Sequence, residues 1–421
     1  MASSRSLNQL NVVLLRSYFD SIMKDWFHFV LSNKRLLNFG FLYNFFSAFG
    51  QTFFISLFVP FWVTSFGITH TTFGTSYSLV TIASAIFLTI AGRYIDRMSL
   101  RRYGLWVFAG LFISLIILSQ ARSFVVLLIG LFLVRWFGQG MMTHTSATGI
   151  AKYFDETRGK ALGFTSLGHP AGQFILPLAL VPLIAAFGWR NALLVILLLA
   201  AIVIIPSTWT ISPVARFTPI EKKKKGEGPV TENYFATAKF WLIAVNVFMI
   251  PFLTTAVFLY QYSIAESKGW DPGWVTFSFA FYAVSSAITL LISGSLTDKY
   301  SGIRLFPLYL MPTIVGLVTM ALFDSQWVFP FFYATMGVSA GMGSTVKTAM
   351  QVEVYGKGSI GKIRSYFSTL LVFSTALGPP AFGYFIDRNI SFDWILGVSA
   401  VLFTIVSVMS FRVWKYKPAT D

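Results

Sequence analysis

Twelve long apolar runs, separated by short polar breaks, dominate the pattern of this chain. Each run approaches the roughly 20 residues that an α-helix needs to cross a bilayer. The pattern therefore predicts an all-α membrane protein with twelve transmembrane helices. The predicted spans are residues 37–64, 72–92, 103–120, 123–151, 161–187, 190–211, 238–264, 274–296, 304–323, 327–351, 366–387 and 392–414.

One long polar stretch, residues 212–237, divides the predicted helices six and six. Its run of four lysines at 222–225, followed by two glycines, indicates a flexible linker. A contact with lipid headgroups is the alternative. The predicted organisation is a cytoplasmic amphipathic segment (1–36), an N-terminal bundle (37–211), a cytoplasmic linker (212–237), a C-terminal bundle (238–414) and a cytoplasmic tail (415–421).

The distribution of lysine and arginine sets the predicted orientation. If the N-terminus is cytoplasmic, the inside segments hold 26 of these cations and the outside loops hold 4. Positive residues accumulate on the cytoplasmic side of membrane proteins. We therefore expect both termini in the cytoplasm, with short loops that favour a bacterial inner (plasma) membrane.

Composition agrees with lipid as the solvent of this chain. Hydrophobic residues make up 55% of the sequence, charged residues only 11%, and the mean hydropathy is +0.68. The net charge of +16 is typical of nucleic-acid-binding proteins, but these cations lie in short clusters between apolar runs. We therefore expect membrane lipid and no nucleic acid as partner. The chain has no cysteine.

The two halves of the chain are related by a constant offset of 202 residues. It aligns Gly67 with Gly269, Gly92 with Gly294 and, in the loops that follow, Asp96 with Asp298. An offset that holds across several predicted helices indicates two six-helix pseudo-repeats. Repeats of this kind place a substrate site between them, near the bilayer midplane.

The loop GRYIDRMSLRR at 92–102 resembles the signature of the major facilitator superfamily, and GSLTDKYSGIR at 294–304 is its second copy. The resemblance implies twelve-helix transporters whose duplicated loops latch the halves together on the cytoplasmic side. The positions that inherit this gate role are Gly92, Asp96, Arg97, Arg101, Gly294 and Asp298. We add Lys347 to the predicted gate, with Glu353 as its possible partner.

The helix 4 and helix 5 region is similar to the monocarboxylate and oxalate/formate branch of that superfamily. It reads VRWFGQGMMTHTSATGIAKYFDETRGKALGFTSLGHPAGQFILP, and GWRNALL follows at 188–194. Members of that branch often carry an arginine in helix 8. Residues 274–296 contain no charged residue, so the chain departs from the branch there.

Ionisable residues inside the predicted spans are few, and each is costly to insert. Arg135 lies near the middle of helix 4, Lys347 lies lower in helix 10, and His144 and His169 are the intramembrane histidines. No Asp or Glu lies well inside any span. A central arginine without an acidic partner favours an anion, and its donor fork suits a carboxylate.

Polar residues at helical spacing extend this predicted site along neighbouring helices. The predicted substrate-binding residues are Arg135, Gln139, Thr143, Asn44, Gln51, His169, Gln173 and Tyr282. Hydrogen bonding between helices is the alternative role for each hydroxyl or amide. For Arg135 the alternative is a structural clamp on backbone carbonyls.

These residues predict a transporter that moves a small organic anion, in first place a monocarboxylate, by alternating access. Proton symport is one option, with His169 or His144 as the group that carries the proton. A neutral or amphipathic solute, such as a sugar, amino acid or drug, remains an alternative, as does a sensor without flux. We expect a functional monomer. No Gly-rich phosphate loop, metal-spaced histidine cluster or nucleophile motif occurs, so we expect no enzyme, cofactor or metal.

Overall fold

The computed structural model describes residues 28–154, 157–211 and 234–416. Within these three ranges the chain is helical and contains no β-strand. The predicted amphipathic segment and linker fall largely outside the described residues, at 1–27 and 212–233.

The helices of the first half follow the predicted spans closely. Helix α1 is bent by 49° between its two parts. The helices are α1 (Lys34–Gly50 and Thr52–Phe66), α2 (His70–Ala91), α3 (Leu100–Ser119), α4 (Phe124–Tyr153), and α5 and α6, which together form Arg158–Trp209 and are separated at Gly188. Gly188 has a φ of 73°, which ends one helix and redirects the chain into the next.

The second half has the same order of elements. Its helices are α7 (Ala238–Ser267), α8 (Pro272–Tyr300), α9 (Leu308–Leu322), α10 and α11, which together form Val328–Asp387 and are separated at Gly356, and α12 (Phe392–Ser410). Gly356 ends α10 as Gly188 ends α5, with a φ of 74°. The apolar part of α11 is Tyr366–Asp387.

Eight helices in the described ranges are long and apolar enough to cross a membrane, and the bent α1 would make a ninth. The Arg158–Trp209 stretch among them holds two predicted spans, α9 is shorter, and α10 is more polar. The twelve predicted spans therefore all correspond to helix, although length and apolarity alone do not establish that number. Large side chains such as Leu291, Leu322 and Trp394 are at least 70% exposed, as expected of a surface that faces lipid.

The 202-residue offset predicted from sequence is visible in the backbone. Gly67 and Gly269, which it relates, have φ values of 60° and 67° and follow α1 and α7. Thr69 and Asp271, also related by it, cap the N-termini of α2 and α8 with their side chains. We call the end of the bundle with these turns the predicted extracellular end, and the opposite end the predicted cytoplasmic end.

The two halves meet along α2 with α11, α5 with α8, and α1 with α7. Close helix approach requires small residues at the crossing. A Cβ on Gly74 of α2 would lie 2.6 Å from the Tyr260 hydroxyl and 2.7 Å from the Pro379 carbonyl oxygen. Ser78, one turn further along α2, donates to the carbonyl of Ala376 on α11.

Candidate functional site

The centre of the first half is built where two irregular helices cross. Helix α1 breaks at Gln51, which has an extended backbone, and α4 contains a π-helical stretch at Arg135–Met142. Such stretches occur frequently at functional sites. Gly50 allows the crossing, because a Cβ there would overlap backbone atoms of Val134 and Gln139.

Arg135 begins the π-helical stretch and points into this crossing. Its Nη1 donates to the Tyr77 hydroxyl at 2.6 Å, to the Gly50 carbonyl oxygen at 3.2 Å and to the Thr52 hydroxyl at 3.4 Å. The side chain is only 2% exposed, and its buried Nε has no hydrogen-bond partner. Among the described residues no carboxylate forms a salt bridge with it.

Tyr77 of α2 and Thr52 of α1 were not predicted as site residues. The Tyr77 hydroxyl is within hydrogen-bond distance of both Arg135 and Thr52, at 2.6 and 2.8 Å. Its ring also lies 4.8 Å from the guanidinium carbon. A tyrosine in a transmembrane helix that also carries many serines and threonines is a weak sequence signal, since its ring is compatible with the core.

The predicted ligands on α1 and α4 take part mainly in contacts between helices. Asn44 donates to the Ser146 hydroxyl at 2.8 Å and to the Thr165 carbonyl at 2.9 Å, which ties α1 to α4 and α5. Thr143 donates to carbonyl oxygens one turn back on its own helix. For these two residues the geometry matches the alternative role, hydrogen bonding within and between helices.

Gln51, Gln139 and Gln173 are partly buried. Gln51 lies at the break in α1, one residue from the carbonyl that Arg135 binds. Gln139 lies within the π-helical stretch of α4. Their roles as ligands stay predictions.

An aromatic cluster lies between the halves, close to the Arg135 crossing. Phe53 of α1 contacts Phe279 of α8, with ring centroids 5.3 Å apart. Phe258 of α7 extends the cluster to Phe279, Tyr282 and Tyr333, at 4.8, 4.9 and 5.8 Å. The predicted ligand Tyr282 therefore lies in an apolar setting at the interface.

The two candidate histidines lie in different places. The His169 ring is 6.4 Å from Phe53, beside the aromatic cluster, and its buried Nδ1 has no hydrogen-bond partner. His144 instead lies within the first half, where a Cβ on Gly92 would be 3.2 Å from its Nε2. The structure therefore brings His169, but not His144, to the interface between the halves.

Most of the predicted gate residues whose side chains the structure describes have their contacts within their own half rather than with the opposite half. Asp298 is exposed, and a Cβ on Gly294 would meet no atom within 4 Å. Arg97 lies over Tyr94 of its own loop, and Arg101 stacks on Trp209 of α6. The side chain of Asp96 lies outside the described part of the structure.

The predicted pairing of Lys347 with Glu353 is wrong. The Glu353 carboxylate instead accepts from the Ser301 hydroxyl at 2.6 Å and from the backbone N–H groups of Gly302 and Ile303 at 2.8 and 2.9 Å. These donors satisfy both oxygens, because the turn after α8 presents its free N–H groups to them. Lys347 lies in a separate cavity with no carboxylate along its lining.

Contacts across the halves concentrate at the predicted extracellular end. Asp387 of α11 accepts from the backbone N–H groups of His70 and Thr71 at the start of α2, at 2.9 and 2.7 Å. The Tyr260 hydroxyl donates to the His70 carbonyl at 2.9 Å. Gln261 of α7 donates to the Ser56 hydroxyl of α1 at 2.6 Å. These contacts hold the halves together at this end.

The two pseudo-repeats, the aromatic interface and the buried arginine define a polytopic membrane protein of the transporter class. The family model of the Major Facilitator Superfamily matches residues 40–326 and 242–421. The chain belongs to the Major Facilitator Superfamily.

Comparison with known proteins also confirms the predicted resemblance to the monocarboxylate branch. The chain is 25% identical over 295 residues to mouse monocarboxylate transporter 11, an alignment that covers 67% of this chain and 65% of the mouse protein. It is 24% identical over 298 residues to the human protein of that name, covering 67% of this chain and 62% of the relative. The chain thus spans slightly less than two thirds of the length of these relatives.

Solved structures support the fold itself. A bacterial homolog of the human lysosomal transporter Spinster, in an inward-facing and occupied conformation, superposes with a TM-score of 0.70 at 13% identity, covering 92% of this chain and 98% of that one. The unoccupied inward-facing form also has a TM-score of 0.70, at 14% identity, with 92% and 99% covered. This confirms the predicted fold class.

Proposed function

We propose that this protein is a secondary active transporter of a small organic anion, in first place a monocarboxylate, and that Arg135 binds the carboxylate. The observation that carries the proposal is a deeply buried guanidinium whose contacts are all neutral. Burying a charge is costly unless a partner compensates it. Nothing among the described residues supplies a negative charge to Arg135.

The proposed binding step is an exchange of partners on Arg135. The three oxygens on Nη1 belong to Gly50, Thr52 and Tyr77, and two of them flank the break in α1. A carboxylate that replaced them would gain charge-assisted, bidentate hydrogen bonds. The break at Gln51 gives α1 a place to move without unwinding the rest of the helix.

The names of the mouse and human relatives agree with a monocarboxylate as substrate. The aromatic cluster around Phe258 supports a substrate with an apolar part beside its carboxylate. That cluster also favours the second candidate, a neutral or amphipathic solute, which would bind without help from Arg135.

Proton coupling is proposed at His169 rather than His144. His169 lies beside Phe53 at the interface of the halves, whereas His144 lies within the first half. The buried Nδ1 has no hydrogen-bond partner in either histidine, so the position decides between them. A group that accepts a proton in one conformation and releases it in the other must change its surroundings as the halves move. We further propose a functional monomer in a bacterial plasma membrane, with both termini in the cytoplasm.

The test is uptake of radiolabelled lactate, pyruvate and acetate, beside glucose and alanine, into proteoliposomes. Arg135→Gln should reduce carboxylate uptake at least a hundredfold, because a lost charge-assisted bidentate pair costs on the order of 3 kcal/mol. Tyr77→Phe, which removes one neutral contact from Arg135, should retain uptake with an altered KM.

Arg190→Gln is the matched control. Arg190 also donates to a backbone carbonyl, that of Ala121 at 2.8 Å, and stacks on the neighbouring Trp189. Both of these contacts lie within the first half, at the predicted extracellular end. If Arg135→Gln and Arg190→Gln lower carboxylate uptake equally, or if only a neutral solute is taken up, Arg135 is a structural clamp and the anion proposal fails.

A further inference from the structure

A cavity of about 440 Å³ lies between α7, α10 and α11, toward the predicted cytoplasmic end of the second half. Its polar lining carries two cations and no Asp or Glu. The polar side chains are Lys347, Arg364, Gln351, Ser344, Thr348 and Ser368. A concave site with several convergent donors and a positive charge is suited to a small anion.

Helical spacing places this cavity below the aromatic cluster. Ser344 of α10 lies 11 residues from Tyr333, and Val247 of α7 lies 11 residues from Phe258. Eleven residues make about three full turns, so the members of each pair share a helix face about 16 Å apart. The cavity therefore opens on the same side as the interface between the halves, closer to the predicted cytoplasm.

The same spacing holds on α11. Ser368 lies 11 residues before Pro379, whose carbonyl oxygen would be 2.7 Å from a Cβ on Gly74 of α2. The face of α11 that lines the cavity thus continues into the face that contacts the first half. Among the described residues, no residue of the first half lines the cavity.

Lys347 is available to a ligand in this cavity. Its Nζ lies 5.9 Å from the ring centroid of Tyr309, which is a neutral side chain. The nearby carboxylate of Glu353 is occupied by the turn after α8. Arg364, on the opposite wall, is exposed. The two cations face space that no described carboxylate fills.

We infer that this cavity is a second binding station for the carboxylate substrate, between the central site and the predicted cytoplasm, with Lys347 as its principal ligand. The inference rests on the proposed function. It assigns Lys347 a direct role in binding the anion, beyond the gate role expected from its position. An anion that leaves Arg135 would pass the aromatic cluster and meet the cavity of Lys347 about three helical turns closer to the predicted cytoplasm.

The test uses the absence of cysteine from the chain, since any introduced thiol is unique. Ser344→Cys places a thiol on the cavity wall, and the exposed Ser295→Cys places one at the same end outside the cavity. The measurement is the rate of modification by an anionic and by a cationic methanethiosulfonate in detergent. Acetate is added as the competing carboxylate.

The cavity thiol should react faster with the anionic reagent, and acetate should slow that reaction. Lys347→Gln should slow the anionic reagent and speed the cationic reagent about fivefold each, because one unit charge a few ångström away in water changes each interaction energy by about 1 kcal/mol. The ratio of anionic to cationic rates should therefore fall about 25-fold. Lys347→Arg should preserve the ratio, which separates loss of charge from loss of folding. The thiol at Ser295 should respond to neither substitution.

Two results would refute the proposed second binding station. One is an equal modification rate with both reagents at Ser344→Cys, and the other is a ratio of anionic to cationic rates that Lys347→Gln leaves unchanged. Either result is separable from failure of the proposed function, because labelling needs no transport. If Arg135→Gln abolishes uptake while labelling is charge-independent, only the second station is lost. If labelling depends on Lys347 while uptake survives Arg135→Gln, the central site is wrong and the cavity remains an anion site.

Discussion

Asp387 links the two halves at the predicted extracellular end, and its removal should open that end. The carboxylate belongs to α11, whereas the N–H groups of His70 and Thr71 that it binds belong to α2. These bonds exist only while the halves are together there. Asp387→Ala should therefore destabilise the closed arrangement and leave the open one unchanged.

The magnitude follows from the geometry of the contact. A side chain that caps a helix contributes about 0.5–2 kcal/mol, and a carboxylate at a helix N-terminus adds about 0.3–1 kcal/mol. Thr69 still caps Thr72 in the variant, so α2 itself stays folded. We expect a loss of about 1–2 kcal/mol, which changes the ratio of closed to open molecules about five- to thirtyfold.

The assay is a distance distribution between two spin labels at this end, one on each half. Arg122→Cys and Phe323→Cys provide the sites, as both are exposed and the chain has no other thiol. Asp387→Ala should increase the population at the longer distance. Asp387→Asn keeps one acceptor oxygen and should give a smaller increase.

The control is Asp393→Asn at the same end. Asp393 pairs with Lys268 of its own half at 2.7 Å, so its loss should not change the distance between halves. The reasoning is refuted if Asp387→Ala leaves the distribution unchanged, or if Asp393→Asn shifts it equally.

Two further predictions concern folding. Gly50→Ala should prevent correct assembly of α1 on α4, because the added Cβ would overlap backbone atoms of α4. Gly159→Ala is the control and should be neutral, because a Cβ there meets no atom within 4 Å. Size-exclusion profiles and melting temperatures measure both effects. Lys268→Met should lower the melting temperature at neutral pH, since Lys268 bridges Asp324 and Asp393. Burial opposes the charge of Lys268, but both aspartates outweigh it and raise its pKa above the ordinary 10.5. The stabilisation by Lys268 is therefore fully present at neutral pH and is lost as pH rises through the higher pKa of the folded state. A melting-temperature difference between Lys268→Met and wild type that already shrinks near about pH 8 would contradict this.

The positions of the helices could be predicted because bilayer thickness fixes their length. A run of about 20 apolar residues has one structural solution in lipid. The repeat aligned Gly67 with Gly269, and both adopt the left-handed conformation in the structure, although the alignment itself predicted no turn type. The predicted spans 161–187 and 190–211 placed the boundary between α5 and α6 at residues 188–189, and Gly188 forms that boundary in the structure.

The irregular backbone at the centre could not be predicted. The break at Gln51 follows a single glycine and no proline, and the π-helical stretch at Arg135 leaves no trace in hydrophobic spacing. Both arise from tertiary packing, in which Gly50 lets α1 and α4 approach until Arg135 reaches the α1 carbonyl. Local sequence does not encode such a fit.

Polar residues on helices were easier to find than to interpret. Asn44 and Arg135 both stood out as costly groups within the membrane. Asn44 binds a hydroxyl and a carbonyl of two neighbouring helices, which satisfies its amide group. Arg135 keeps an unpartnered Nε among neutral oxygens. Only the arrangement of partners distinguishes a structural contact from a group that lacks its counter-charge.

The two ends of the bundle differ in a way that the repeat explains. The sequence of the predicted gate is duplicated, so the offset detects it at Gly92 and Gly294. The residues that close the predicted extracellular end have no counterpart of the same kind in the other half. The offset aligns Asp387 with Ala185 and Gln261 with Val59. Sequence symmetry could therefore suggest the predicted gate but not the contacts that close the extracellular end.

This difference has an energetic consequence for alternating access. Both closed forms must lie within a few kcal/mol of each other for the protein to visit each. In the described conformation Asp387, Tyr260 and Gln261 stabilise one closed end, while Asp298 at the other end is exposed. If the predicted gate closes that end, it must therefore supply a comparable free energy when it does so. Loss of Asp387 should favour that second form even without substrate, because the opposing gate is untouched by the change.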